Sequence, residues 1–166
     1  MTATADPAGL PAALSTPRGV TVTSDLLGTL HVTEDQVIVF EAGIAGFRQC
    51  TRWILIDGER QGTAWLQSVD QGSLAFLLVD PFSFFDGYSV DLSPHDARRV
   101  QAENAAQLAV FAIVTIPARR TDVPTANLQG PIVINVARRR AAQIVLSDGP
   151  WGVRQPFQLL PLETAD

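Results

Sequence analysis

Cysteine is almost missing from this chain. Cys50 is the only one in 166 residues, so no disulfide can close within the chain and no multi-cysteine zinc site can be built. The two histidines, His31 and His95, are not at helical metal-ligand spacing, and no calcium-loop pattern is present, so the reading is of a protein without metal or cofactor. Lysine is absent altogether; all 12 basic residues are arginine, a usage that genome composition explains as readily as a need for bidentate contacts. Long apolar runs are absent too. The longest, residues 108–114, falls far short of the roughly 20 residues that cross a bilayer. Residues 1–20 lack the basic start and apolar core of a secretion signal, which points to a cytoplasmic protein with no membrane partner.

What is present is a chain of short β-like runs. A length of 166 residues suits one domain, and a globule of that size buries about 68–70% of its unfolded surface. The small, proline-containing residues 1–17 read as a flexible tail, residues 18–155 as a single domain and residues 156–166 as a C-terminal tail. Alternating and β-branched runs predict strands at 20–24, 29–32, 36–40, 53–57, 64–69, 74–80 and 88–92. The apolar run 108–116, ended by Pro117, reads as a central strand, and 132–136 with 143–146 as a hairpin. The loop of that hairpin holds Arg138, Arg139 and Arg140 and reads as a solvated turn. Ser93-Pro94-His95-Asp96 opens a helix running to Gln107, with serine as cap and proline at the first helical position. The sum is an all-β fold, a partly open β-barrel or sandwich of short, mostly antiparallel strands with one short helix.

Charge is distributed unevenly. Between Arg60 and Arg98 the acidic residues and histidine are Asp70, Asp80, Asp86, Asp91, Asp96 and His95, with no lysine or arginine. Those five carboxylates equal the formal net charge of −5, so the field steers basic partners and repels polyanions, and direct nucleic-acid binding is disfavoured. Within the same stretch Phe82, Phe84 and Phe85 crowd between Pro81 and Gly87. Three aromatic rings in one short loop cannot all face a core unless the loop turns inward, so some are expected at a partner surface. The candidate partner-binding residues are Phe47, Asp70, Phe82, Phe84, Phe85, Asp86, Tyr88 and Asp91.

Catalytic chemistry has little to stand on. His31 lies in a strand pattern and His95 in a helix start, and no serine or Cys50 is linked locally to either as a nucleophile–base pair would require. A pair of aspartates acting on a small molecule stays open as a third reading, because sequence alone cannot place two carboxylates face to face. Gly43-Ile44-Ala45-Gly46-Phe47 has the spacing of a Gly-x-x-Gly nucleic-acid loop, but it follows a strand and Glu41 is acidic. A turn using positive φ is the better account.

WLQSVD at 65–70, LAFLLVDPFSFF at 74–85, YSVDL at 88–92, AIVTIP at 112–117 and TANLQGPIVIN at 125–135 together resemble the FliW family of flagellar assembly factors, in order and spacing. The likeness spans roughly residues 20–154. It implies a β-rich, barrel-like, non-enzymatic protein that binds the translational repressor CsrA, antagonising it largely allosterically and without touching RNA. It also implies binding to the C-terminal region of flagellin, so that flagellin synthesis tracks assembly. A flagellin-binding chaperone without CsrA activity is the alternative. On that reading an apolar groove at 82–85 holds an amphipathic helix, and truncating Phe84 and Phe85 together weakens binding while leaving the fold intact. Ala45 stands where the family commonly has proline, which frees one φ angle.

Overall fold

A computed structural model describes residues 18–119 and 121–159. Eleven strands and two short helices follow one another: β1 Gly19–Ser24, β2 Gly28–Thr33, β3 Ile38–Phe40, β4 Arg52–Asp57, β5 Thr63–Ser68, β6 Ala75–Val79, α1 Pro81–Phe84, α2 Pro94–Arg99, β7 Leu108–Thr115, β8 Thr125–Ala126, β9 Ile132–Asn135, β10 Arg140–Gln143 and β11 Gln155–Pro156. The ladder runs β7-β6-β5-β4-β3-β10-β9 and returns to β7 through the β7–β9 pairing, so seven strands close into a barrel and the unpaired edges of an open sheet disappear. Among the described residues only the β10–β3 contact is parallel. β8 and β11 extend the sheet from the far end of β7, where Val114 pairs with Ala126 and Ala126 with Gln155.

The side-chain period of two sorts residues to the two barrel faces. Ile38, Phe40, Trp53, Leu66, Leu78, Ile132 and Ile134 fill the interior, with Phe76, Phe111 and Ile113 beside them. Trp53 stacks on Phe76 at 5.6 Å between ring centroids, Phe40 meets it edge-on at 6.1 Å, and its indole Nε1 donates to the Cys50 carbonyl at 3.0 Å. The outer face is covered in patches. Val20, Val22, Leu30 and Val32 of the β1–β2 hairpin lie on Ile54 and Ile56 of β4. Val100 and Leu92 lie over Val133 and Ala142, and an aromatic cluster covers Val79, Ala112 and Val114. This double coverage is why residues 108–114 read as one unbroken apolar run: a strand covered on both sides loses its alternation.

One buried amide pins the hairpin to the barrel. Gln67, fully buried, donates from Nε2 to the carbonyls of Ser68, Gly72 and Leu74 and accepts at Oε1 from the Ser24 hydroxyl at 2.6 Å. The Gly43 and Gly46 turn does use positive φ, at 65° and 87°; a side chain at Gly43 would come within 2.5 Å of the Arg48 backbone.

The structure departs from the sequence expectations in several places, including the short strands β8 and β11. Residues 88–92 keep their in–out alternation, Tyr88 buried and Ser89 and Asp91 exposed, but form no ladder, because they cross the outside of the barrel rather than joining it. α2 stops at Arg99 instead of Gln107, and the carbonyls of Val100 and Gln101 just past its end are taken by Asn135. Residues 81–84, expected as loop, form α1. β10 begins at Arg140 instead of 143, because Arg139 turns the chain at φ 53°. The packed body also continues past residue 155, since Phe157 is buried in the aromatic cluster. Residues 1–17 lie outside the described residues.

Candidate partner-binding surface

Asp80 organises the surface. Its carboxylate accepts from the Phe82 backbone N–H at 3.0 Å and the Ser83 hydroxyl at 2.8 Å, while Pro81 occupies the first helical position; the cap and the pre-set φ together start a turn that is otherwise too short to persist. That turn splits the three phenylalanines. Phe85 is buried, edge-on to Trp151 at 5.9 Å and tilted against Phe157 at 5.5 Å, and Phe84 is half-buried, edge-on to Phe157 at 5.3 Å. Phe82 points out, 50% exposed, its ring 5.8 Å from that of Tyr88.

Tyr88 is buried beneath Phe82 and Trp151, and its hydroxyl donates to the Leu128 carbonyl at 2.8 Å. Burial pushes its pKa up to about 12, because the phenolate would lose its hydration.

Between the 88–92 crossing and α2 lies a groove of about 450 Å³. Its floor is the outward face of β7 and β9, namely Leu108, Val110 and Val133; Phe82, Val90 and Leu92 form one wall, and Ala97 and Ala102 the other. Asp91 and Glu103 stand on the rim, both exposed, and no lysine, arginine or histidine lines it. A second, larger groove of about 590 Å³ crosses Trp65 and Leu77. Its rim mixes Glu59, Arg60, Arg119 and Asp122, so it offers no field of one sign.

The eight residues expected at a partner surface therefore separate. Phe82 and Asp91 line the acidic groove. Asp86 is exposed in the turn between α1 and Tyr88, and Phe84, Phe85 and Tyr88 pack beneath as its support. Asp70 is fixed elsewhere: it accepts from the backbone N–H groups of Thr51 and Arg52, each at 3.2 Å, and lies 3.9 Å from the Arg52 guanidinium, which offsets its charge. Phe47 lies edge-on to Phe76 at 5.5 Å and packs on the interior core. Leu108, Val110, Val133 and Glu103 also line the groove and are not among the eight. The first two had a signal, since a strand apolar on both faces must have its outer face covered or used. Among the described residues no cluster of three or more metal-ligating side chains occurs, and no helix is long and apolar enough to cross a membrane.

The family model of the FliW protein matches residues 21–157. The flagellar assembly factor FliW of Natranaerobius thermophilus is 35% identical over 137 residues, covering 82% of this chain and 91% of that protein. The one from Treponema denticola is 37% identical over 128 residues, covering 77% of this chain and 86% of that protein. Among solved structures, a crystal structure of the flagellar assembly factor FliW superposes with a TM-score of 0.77 at 32% identity, covering 82% of this chain and 95% of the other.

Proposed function

The chain belongs to the FliW family, and on that basis we propose that it is a non-enzymatic flagellar assembly factor acting in the cytoplasm. It binds and antagonises a CsrA-type translational repressor and binds the C-terminal region of flagellin, coupling flagellin synthesis to assembly. The observation that carries this reading is the acidic groove. An apolar floor of Leu108, Val110 and Val133 under an exposed Phe82 accepts a hydrophobic anchor, and a rim of Asp91 and Glu103 without a base favours a basic or amphipathic partner. The amphipathic helix of flagellin fits that description as a helix laid in a groove. The same field opposes RNA approaching a repressor held nearby, so antagonism needs no RNA contact from this chain.

The carboxylates in both large grooves, Asp91 and Glu103 in one and Glu59 and Asp122 in the other, are exposed, which suits binding better than acid–base catalysis. The test is co-purification and titration with the CsrA homologue and the flagellin of the same organism. Complexes at micromolar concentration, with RNA released from the repressor, are expected. Absence of a complex with both proteins overturns the reading, and a complex with flagellin alone leaves the chaperone alternative.

A further inference from the structure

The fold gathers arginines that lie far apart in the chain. Arg98 and Arg99 end α2, and Arg138, Arg139 and Arg140 surround the β9–β10 turn. One side chain joins the two places: fully buried Asn135 donates from Nδ2 to the carbonyls of Val100 and Gln101, each at 3.0 Å, and accepts at Oδ1 from the Arg138 backbone N–H at 3.2 Å. Among the described residues two that are not glycine have positive φ, Gln101 at 56° and Arg139 at 53°. Both flank this staple. Local turn chemistry favours Gly or Asn at such positions, so an arginine kept there works against the backbone.

Charge compensation is incomplete. Arg99 reaches Asp96 at 3.5 Å and Arg140 reaches Glu41 at 4.0 Å. Arg98, Arg138 and Arg139 form no ion pair among the described residues. A solvated turn needs neither a buried staple nor a strained arginine. We propose that this arginine cluster is a docking surface for an acidic polypeptide segment of a partner protein.

The guanidinium fork matches a carboxylate in two parallel hydrogen bonds, and a short acidic segment meets only the local field. A nucleic acid carries charge well beyond the patch. It would run across Asp91, Asp96 and Glu103 on a chain whose net charge is −5, and that field repels it. This surface uses none of the groove's lining residues and does not depend on the flagellar reading.

The probe is a fluorescein-labelled peptide alternating Glu and Ala, compared with its Gln-for-Glu counterpart and a single-stranded RNA of the same length, by fluorescence anisotropy with the full chain at low salt. The Glu peptide binds and the Gln peptide does not. Arg98→Glu with Arg138→Glu weakens binding about tenfold or more, as loss of two charge-assisted contacts requires, without changing the melting temperature. Arg154→Glu, at the other end of β7, leaves affinity unchanged. Arg139→Gly raises the melting temperature yet lowers affinity. Failure of the Glu peptide to bind, equal weakening by Arg154→Glu, RNA binding as tight as the peptide, or unchanged affinity in Arg139→Gly each overturns the proposal.

Discussion

Truncating Phe84 and Phe85 to alanine distinguishes a surface loop from a supporting core. Phe85 is 7% exposed and packs on Trp151 and Phe157, so its truncation leaves a cavity and costs about 3–4 kcal/mol. Phe84 is half-buried against Phe157, and its loss adds about 1–2 kcal/mol by area. The two share Phe157 and do not add fully, so the double variant loses about 4 kcal/mol. In a domain of this size that lowers the melting temperature by roughly 8–16 °C, read by circular dichroism. Phe82→Ala removes a side chain that is 50% exposed and meets only the edge of the cluster at Tyr88, and it costs less than about 1 kcal/mol. A double variant melting within a few degrees of the parent would refute the assignment of Phe85 to the core. Any loss of partner binding in Phe84→Ala with Phe85→Ala would therefore report lost structure, whereas Phe82→Ala tests the exposed ring with the fold intact.

Tyr88 is the only tyrosine, so tyrosinate absorbance reports it alone. Its pKa stands at about 12 against an ordinary 10.0; the fold favours the protonated phenol, so its contribution is complete below pH 10 and is lost as pH rises towards 12, about 2–3 kcal/mol in all. Urea midpoints should fall across that window in the parent and stay flatter in Tyr88→Phe. Gln67→Leu leaves the carbonyls of Ser68, Gly72 and Leu74 without this donor and costs about 2–4 kcal/mol, with amide exchange rising first in β1 and β2. Asp86→Lys with Asp91→Lys slows association with a basic partner several-fold at low salt, by loss of steering; stopped-flow rates that do not change would remove electrostatics from the account.

Local patterns disclosed the strands whose two faces differ in environment. β4, β5 and β6 sit within a residue or so of where alternation and the glycine turns put them. The start of α2 was equally legible, because Ser93 accepts from the Asp96 N–H as the cap–proline–acid signature implies. The same signature at Asp80-Pro81 is masked, because those residues continue an apolar strand and precede three aromatics. What could not be read locally depends on contacts across the chain. The end of α2 is set by Asn135, about 35 residues downstream, and the β9–β10 register by an arginine in a glycine-like conformation. Alternation at 88–92 reports which side is buried and says nothing about whether a neighbouring strand exists. For the site, Phe82 and Asp91 were legible from aromatic crowding and charge, while the groove floor arises only once β7 and β9 pair to close the barrel.

On the proposed function the acidic groove holds the two protein partners. This is tested most directly by titrating the parent and Phe82→Ala, Asp91→Lys with the flagellin C-terminal region of the same organism in the presence of its CsrA homologue and a target RNA. The parent is expected to strip the repressor from RNA, and flagellin to reverse this. The double variant, folded as the parent, is expected to lose at least one of the two complexes about tenfold or more, as removal of an anchor and a charge implies. Undiminished binding of both proteins by the double variant would contradict it.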